Sequence, residues 1–330
     1  MEYALILFPH QNGRYEAAMR VPAASELQLI LSGNHIQTEV TFKTFKGVNM
    51  LVFEADYLSN PVVWRICRHS LAFWFGILSE GRFTPLSGAY EPCLGADLPS
   101  ILKYKGKTNE HFTQMLINTA LYACDFRMSE NITLIDPMCG KGTTLFQALN
   151  LGFSAFGSDI DRKDLAEGTQ FFIKYLQLNK FKHKQTQTSQ TIPGSPAVTV
   201  TSVSFVNAAG GSGQLKTACA EAGRVDRVFG KGKAELLCCD LPYGIQHAPG
   251  GLVSFEQLLR EALPAWRSCL KKGGAVALSY NTKTLKTLAV RQLLKEYGFA
   301  VKEGGVWDGF EHWVEQAVTR DIAAAVKTED

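Results

Sequence analysis

Apolar residues follow two different rhythms along the chain. Up to about residue 100 they come in short runs, among them Ala4–Phe8, Met50–Phe53 and Ser70–Leu78, broken by Gly, Pro and Asn. Runs of this length between turn formers predict a small α/β or β-rich domain over 1–100. The aromatic group Trp64, Phe73, Trp74 and Phe75 could stack on bases, but clustered aromatics are more often core, and it is read as core. Pro85 to Pro99, with Gly88, Pro92 and Gly95 inside it, reads as the connection out of this domain.

Beyond it the rhythm changes. Thr108 or Asn109 can cap a helix whose positions Phe112, Met115, Leu116, Thr119, Ala120 and Ala123 keep the i, i+3, i+4 spacing. Strands are then expected at Ile132–Ile135, Ala155–Ser158, Glu235–Cys239 and Ala275–Ser279, with final β stretches around Phe299–Val301 and Trp313–Thr319. Helices are expected at Thr143–Leu151, Leu165–Leu178, Ser254–Leu270 and Leu285–Tyr297. Such alternation means a parallel sheet with helices on both faces and ligands at the carboxyl ends of its strands. Residues 180 to 233, rich in Ser, Thr, Gly and Gln, interrupt it. A loop or insertion is expected there, with one strand through Val198–Val206 to keep the alternation. The domain over 101–320 would be followed by a tail, 321–330.

Composition adds exclusions. A chain of 330 residues that is 46% hydrophobic and 20% charged is an ordinary globular sequence, long enough for about two domains. The run Leu71–Leu78 is far short of the ~20 residues that cross a bilayer, and Met-Glu-Tyr at the N-terminus is no secretory signal. The eight cysteines show neither zinc-ligand nor redox spacing, so reduced thiols in the cytoplasm, no metal and no membrane partner are expected. Lys and Arg exceed Asp and Glu by 34 to 31, too small a margin to demand a polyanion. Lys174, Lys180, Lys182 and Lys184, followed by Arg224, Arg227, Lys231 and Lys233, could meet phosphates or form a solvated helix end.

Three motifs carry chemistry. Ile135-Asp-Pro-Met-Cys-Gly-Lys-Gly-Thr-Thr144 joins a strand to a helix. Its glycines admit a ligand against the backbone, and the helix amides behind them favour an anion or carboxylate. Leu145 stands where a dinucleotide fingerprint needs its third glycine, which disfavours a pyrophosphate turn. Gly157-Ser-Asp-Ile-Asp161 ends the next strand. Asp159 can accept both ribose hydroxyls of an adenosine or cap the following helix, a role that suits Asp161 better. Asp240-Leu-Pro-Tyr-Gly244 follows the strand Glu235–Cys239. A carboxylate and a neighbouring carbonyl can accept the two hydrogens of an exocyclic NH2 while the ring stacks on the base. Read structurally, the same residues make a turn.

On these residues, the stretch from about 103 to 320 resembles the class I S-adenosylmethionine-dependent methyltransferases, specifically the RNA methylase family of THUMP-associated enzymes. The loop Asp136–Thr143 resembles the family's Asp-Pro-x-Cys-Gly-Ser-Gly-Thr, with Lys141 in place of Ser. Asp240–Tyr243 resembles its Asn/Asp-x-Pro-Tyr/Phe motif, in a form similar to members that methylate guanine N2 in tRNA. No THUMP domain is recognisable in the first hundred residues. The resemblance implies a Rossmann-like fold with a mostly parallel seven-stranded sheet and S-adenosyl-L-methionine as cofactor. It implies that Asp136, Pro137, Cys139, Gly140, Gly142, Asp159 and Ile160 surround the cofactor, with Asp240 bordering it. Asn207 would contact adenine after the third strand, and reads equally as a loop residue. Thr108 and Asn109 fall near the methionine end or simply cap a helix. Asp240, Leu241, Pro242 and Tyr243 would form the catalytic set. The implied reaction is methyl transfer to an exocyclic amino group of a base, guanine N2 in tRNA or another structured RNA. DNA adenine N6, protein glutamine and an RNA-binding module whose catalysis has lapsed stand as alternatives.

Overall fold

The structure, a computed structural model, describes residues 1–129, 131–192, 197–207, 210–242 and 255–329. The chain divides into two compact units, one of residues 1–91 with 303–321, the other of 92–302 with 322–330.

The first unit contains β1 (Glu2–Leu7), α1 (Gly13–Ala18), α2 (Arg20–Gly33), β2 (Thr41–Phe45), β3 (Val48–Glu54), α3 (Asn60–Ile66), β4 (Ala72–Ser79) and β5 (Arg82–Gly88). Its antiparallel sheet runs β2-β3-β1-β4-β5. Tyr3, Phe53 and Phe75 stack on one another, with ring centroids 5.6 to 6.2 Å apart, and form its buried aromatic centre. Of the four aromatics read as core, only Phe75 is buried. Trp64, Phe73 and Trp74 are 43–50% exposed, because Trp64 lies on the short α3 beneath the Arg68 guanidinium, 4.5 Å from its ring, and Phe73 meets Phe8 edge-on at the surface. Pro85 to Gly88, expected in a connection, belong to β5.

The second unit follows the alternation. It holds α4 (Leu98–Ile101), α5 (Glu110–Ala123), β6 (Thr133–Asp136), α6 (Thr143–Asn150), β7 (Ser154–Asp159), α7 (Arg162–Leu178), β8 (His183–Gln190), β9 (Val198–Val206) and β10 (Ser212–Cys219). It continues through α8 (Val225–Phe229), β11 (Ala234–Asp240), α9 (Phe255–Cys269), β12 (Leu270–Asn281), α10 (Thr287–Glu296) and β13 (Phe299–Lys302). After β14 (His312–Glu315) in the first unit comes β15 (Val318–Lys327), so the chain past 320 is largely strand rather than tail. The sheet is ten-stranded and mixed rather than seven-stranded and mostly parallel, in the order β13-β15-β12-β11-β6-β7-β10-β9-β8 with β14 beside β15, because β8, β9 and β14 add antiparallel pairs at its edges.

Strands β12, β11, β6, β7 and β10 are mutually parallel, the arrangement of a Rossmann-like methyltransferase fold. Val198–Val206 is a strand, but not the third strand of the parallel set. That position belongs to β10, and β9 pairs antiparallel to it, with β8 antiparallel to β9. From β6 the chain builds toward β7 and β10, then crosses to β11 on the other side, which makes the ends of β6 and β11 the switch point where a crevice opens. The core on the α9 face centres on Trp266, fully buried with its indole N–H donating to the Ala222 carbonyl at 3.0 Å.

Candidate functional site

Each parallel strand around the switch point ends in a residue that faces the crevice edge. Asp136 closes β6, Asp159 closes β7 and Asp240 closes β11. Past Asp136 the chain turns sharply. The Met138 N–H donates to the Asp136 carboxylate at 3.0 Å, the Cys139 N–H to the Ser158 carbonyl at 3.0 Å, and the Ser158 hydroxyl to the Pro137 carbonyl at 3.3 Å. The loop is thus sewn to the end of β7. Gly140 and Gly142 adopt φ of +50° and +96°, a left-handed backbone that L side chains resist, and Gly142 leads straight into α6.

Two further glycines let other elements close on this loop. A Cβ on Gly168 of α7 would lie 2.1 Å from the Lys141 carbonyl oxygen, and one on Gly157 would lie 2.7 Å from Cys139 Sγ. Lys141, which replaces the family's Ser, reaches back to α7, where its ammonium meets Glu167 at 2.5 Å and Asp164 at 3.6 Å. The substitution therefore ties the loop to the helix and is compatible with the backbone-dominated turn.

Asp159 carries one amide on each carboxylate oxygen, Gly140 N–H on Oδ2 at 2.7 Å and Asp161 N–H on Oδ1 at 2.9 Å. Every oxygen of a carboxylate has two lone pairs, so capacity for hydroxyl donors remains. Asp161 is the cap of α7, accepting from the amides of Lys163 and Asp164. Ile160 beside it is 49% exposed. Asn207 lies elsewhere. It closes the β9–β10 turn through Gly211, whose N–H donates to its side chain at 2.8 Å, at the end of β10 opposite to the Cys219–Asp159 pair. The residues beside Asp159 are instead Cys219 and Ala220, whose thiol and amide donate to the carbonyls of Ile160 and Asp159. The sequence does not single them out, because β10 carries too weak a β pattern to predict a strand that ends at Thr-Ala-Cys-Ala.

Asp240 receives a short hydrogen bond from the Thr108 hydroxyl, while Asn109 caps α5 through the amides of His111 and Phe112. The two capping candidates thus divide the roles. Leu241 is buried, with its N–H on the Ser279 carbonyl at 2.9 Å, and Pro242 is half-buried. Tyr243 falls outside the described residues.

Asp136 is buried, and burial pushes its carboxyl up to about 7. The Met138 amide and Thr144 oppose the rise, whereas the charges of Asp159 and Asp240 add to it. Burial likewise raises the thiols of Cys139 and Cys239 well above the usual range, which keeps them protonated. Among the described residues no group of three His, Cys, Asp or Glu is placed to hold a metal ion, and no helix is long and apolar enough to cross a membrane.

S-Adenosylmethionine, the cofactor the sequence implies, fits these residues. Its cationic end suits the buried Asp136 carboxyl, where the neighbouring charges of Asp159 and Asp240 already favour a bound positive charge, and its carboxylate suits the amides at the start of α6. A Cβ on Gly140 would meet no protein atom within 4 Å, so the turn is open on the side where only a bare backbone lets a ligand approach.

Two expected results follow from this geometry. Asp159→Ala weakens S-adenosylhomocysteine binding by about 1.5 kcal/mol, roughly tenfold, since charge-assisted bonds are lost; isothermal calorimetry reads it, and unchanged affinity in a folded variant would reduce Asp159 to a loop brace. The second concerns pH. Because the folded-state pKa of Asp136 lies above its ordinary value, the ligand-free protein binds the extra proton more tightly than the unfolded chain does. This group's contribution to stability therefore falls as pH rises from 3.8 to about 7. A cationic ligand prefers the ionised carboxyl, so S-adenosylmethionine should gain affinity over the uncharged thioether S-adenosylhomocysteine between about pH 6 and 8. A constant ratio of the two dissociation constants across that range would contradict the assignment.

The profile of the RMKL-like methyltransferase domain family matches residues 117–307. No curated protein compared with the chain matches it. Similar solved structures include precorrin-6y C5,15-methyltransferase from Geobacter metallireducens, at 15% identity over 72% of this chain and 99% of that one with a TM-score of 0.42. Magnesium protoporphyrin IX methyltransferase from Synechocystis with bound S-adenosylmethionine shows 17% identity over 70% and 90%, TM-score 0.39. An rRNA methylase from Streptococcus thermophilus shows 12% identity over 68% and 100%, TM-score 0.38.

Proposed function

The chain belongs to the family of RMKL-like methyltransferase domains, and from that premise we propose that it methylates an exocyclic amino group of a nucleic-acid base, guanine N2 in a structured RNA such as tRNA. S-Adenosyl-L-methionine is its methyl donor and supplies, when bound, a methyl group already activated by the sulfonium. The observation that carries the reading is Asp240, which ends β11 at the switch point and is followed by Leu-Pro-Tyr.

In this reading Asp159 takes the ribose hydroxyls, Ile160 borders the adenine, and the turn Pro137, Cys139, Gly140 and Gly142 wraps the ribose and methionine portions. Asp136 supplies negative charge to the cationic end. The Asp240 carboxylate and the Leu241 carbonyl accept the two amino hydrogens of the base, which turns the nitrogen lone pair toward the methyl group. Pro242 fixes the carbonyl direction, and Tyr243 stacks on the base. As the nitrogen gains the methyl group it sheds one hydrogen as a proton, toward Asp240 and solvent. Alignment of this kind can supply on the order of 7–11 kcal/mol. The amino edge must leave its stack to enter, so the target is a flipped or unpaired nucleotide. A nucleic-acid substrate and eight free thiols support a reducing, cytoplasmic setting.

The test is transfer of labelled methyl from the donor to bulk RNA, to duplex DNA and to a glutamine-containing peptide offered in parallel. Label in RNA alone is expected; label confined to DNA or peptide overturns the substrate assignment.

A further inference from the structure

The small net charge of the whole chain hides a division. The first unit carries 8 Lys and Arg against 13 Asp and Glu, a net −5, while the second carries 26 against 18, a net +8. A polyanion meets its favourable field on the second unit alone.

Within that unit the basic residues are not equivalent. Lys182 immediately precedes β8 and Lys184 is its second residue, and β8 runs parallel to β10 because both are antiparallel to β9. Lys184 pairs with Ser204 and Ser204 with Gln214, five residues before Cys219, the partner of Asp159. At the rise of a strand Lys184 stands about 17 Å back from the carboxyl edge and Lys182 further still, a poor place from which to hold the phosphates flanking a base at Asp240.

Lys103-Tyr-Lys-Gly-Lys-Thr108 is placed differently. Its Tyr104 is half-buried, with the hydroxyl 3.0 Å from the Thr143 hydroxyl at the first turn of α6, and burial raises the phenol's pKa. Its Thr108 donates to Asp240. The segment is therefore pinned at both ends to the carboxyl edge, one anchor behind the glycine turn and the other on the proposed catalytic carboxylate. Lys107 is engaged by Glu110, and Lys141 by Asp164 and Glu167. Lys103 and Lys105 are exposed on either side of the Tyr104 anchor, with no carboxylate at ion-pair distance among the described residues.

We infer that Lys103 and Lys105 hold the RNA phosphodiester backbone beside the target nucleotide, with Tyr104 and Thr108 fixing the strap that presents them. The inference rests on the RNA reading above and names where that RNA is gripped.

The test compares Lys103→Gln/Lys105→Gln with Lys182→Gln/Lys184→Gln and the unaltered chain, using an unmodified tRNA transcript. Changing Lys103 and Lys105 should weaken binding roughly tenfold near physiological salt and make the log-log salt dependence shallower by about 1.4, the share of two single-strand phosphate contacts. KM for the transcript should rise with kcat retained at saturation, and S-adenosylhomocysteine affinity should not move. The Lys182/Lys184 pair should behave as the unaltered chain. An unchanged KM and salt slope in the first variant, with the unaltered chain methylating RNA, overturns this inference alone. An equal loss in both variants overturns it in favour of diffuse attraction. If the unaltered chain neither binds nor methylates RNA, the RNA reading and this inference fall together.

Discussion

Asp240→Ala is expected to lower single-turnover methylation of RNA by about 100-fold or more, since misorientation of a reacting group or loss of one preorganised partner costs that much. S-Adenosylhomocysteine affinity should change by no more than about threefold, because the carboxylate is assigned to the substrate nitrogen and a charge-assisted bond to cofactor would cost more. Thr108→Ala should show a milder form of the same defect, for it removes the hydroxyl that holds Asp240 and leaves the carboxylate in place. Rapid-quench kinetics at saturating cofactor, beside a thermal melt, distinguishes both from unfolding. A wild-type single-turnover rate in Asp240→Ala would remove the clamp from the mechanism.

Gly168→Ala should be comparably severe for a different reason. Its new Cβ would stand 2.1 Å from the Lys141 carbonyl oxygen and 2.7 Å from the carbonyl carbon. Backbone cannot rotate out of the way as a side chain can, so either α7 or the glycine turn must move. Overpacking of this kind costs about 1–3 kcal/mol of stability, occasionally more. Displacement of the Cys139–Gly142 turn should add a loss of S-adenosylhomocysteine affinity of roughly tenfold or greater, by the sensitivity of preorganised sites to about 1 Å of error. Gly232→Ala provides the comparison. Unlike helical Gly168 it has a positive φ, +58°, which strains an alanine there, but no atom lies within 4 Å of the added carbon and the turn it sits in is remote from Asp136 and Asp159 in sequence. It should lose a little stability and leave cofactor binding intact. Equal cofactor affinity for Gly168→Ala and the unaltered chain, measured by calorimetry, would mean that the α7 contact does not set the turn.

The parallel centre of the sheet was legible because its strands are buried on both faces. Thr133–Asp136 and Ala234–Asp240 read as apolar runs that stop at a carboxylate, and the glycines after Asp136 mark the turn. The edge was not legible for the converse reason. His183–Gln190 is exposed along nearly its whole length and contains no aliphatic residue and no Phe, Tyr or Trp, so only its ladder with β9 makes it a strand. Ser212–Cys219 offers a single Leu among Gly, Gln, Lys and Thr, and it is a parallel-sheet strand by pairing with β7 rather than by composition. Val198–Val206 has the stronger β pattern and took its place, which carried Asn207 into the predicted site. Trp64, Phe73 and Trp74 failed similarly, since aromatic content alone does not say which face of a small sheet is covered. The joining of 303–321 to the first unit depends on contacts more than 200 positions apart, such as Arg14 over the Trp313 ring at 4.0 Å, and local pattern carries no trace of these. Thr108 shows the limit at a single residue. Two adjacent polar residues before a helix both look like caps, and only the fold assigns one to the helix and the other to Asp240.

The chemical position of the transferred methyl group decides the mechanism. RNA incubated with the protein and a donor bearing a deuterated methyl, then digested to nucleosides for mass spectrometry, reports it directly. Deuterated methyl is expected on a purine exocyclic nitrogen, as N2-methylguanosine, in the reaction with the unaltered chain, and its loss is expected with Asp240→Ala. Label on a ring carbon, on a ribose oxygen or on no nucleoside at all would contradict it.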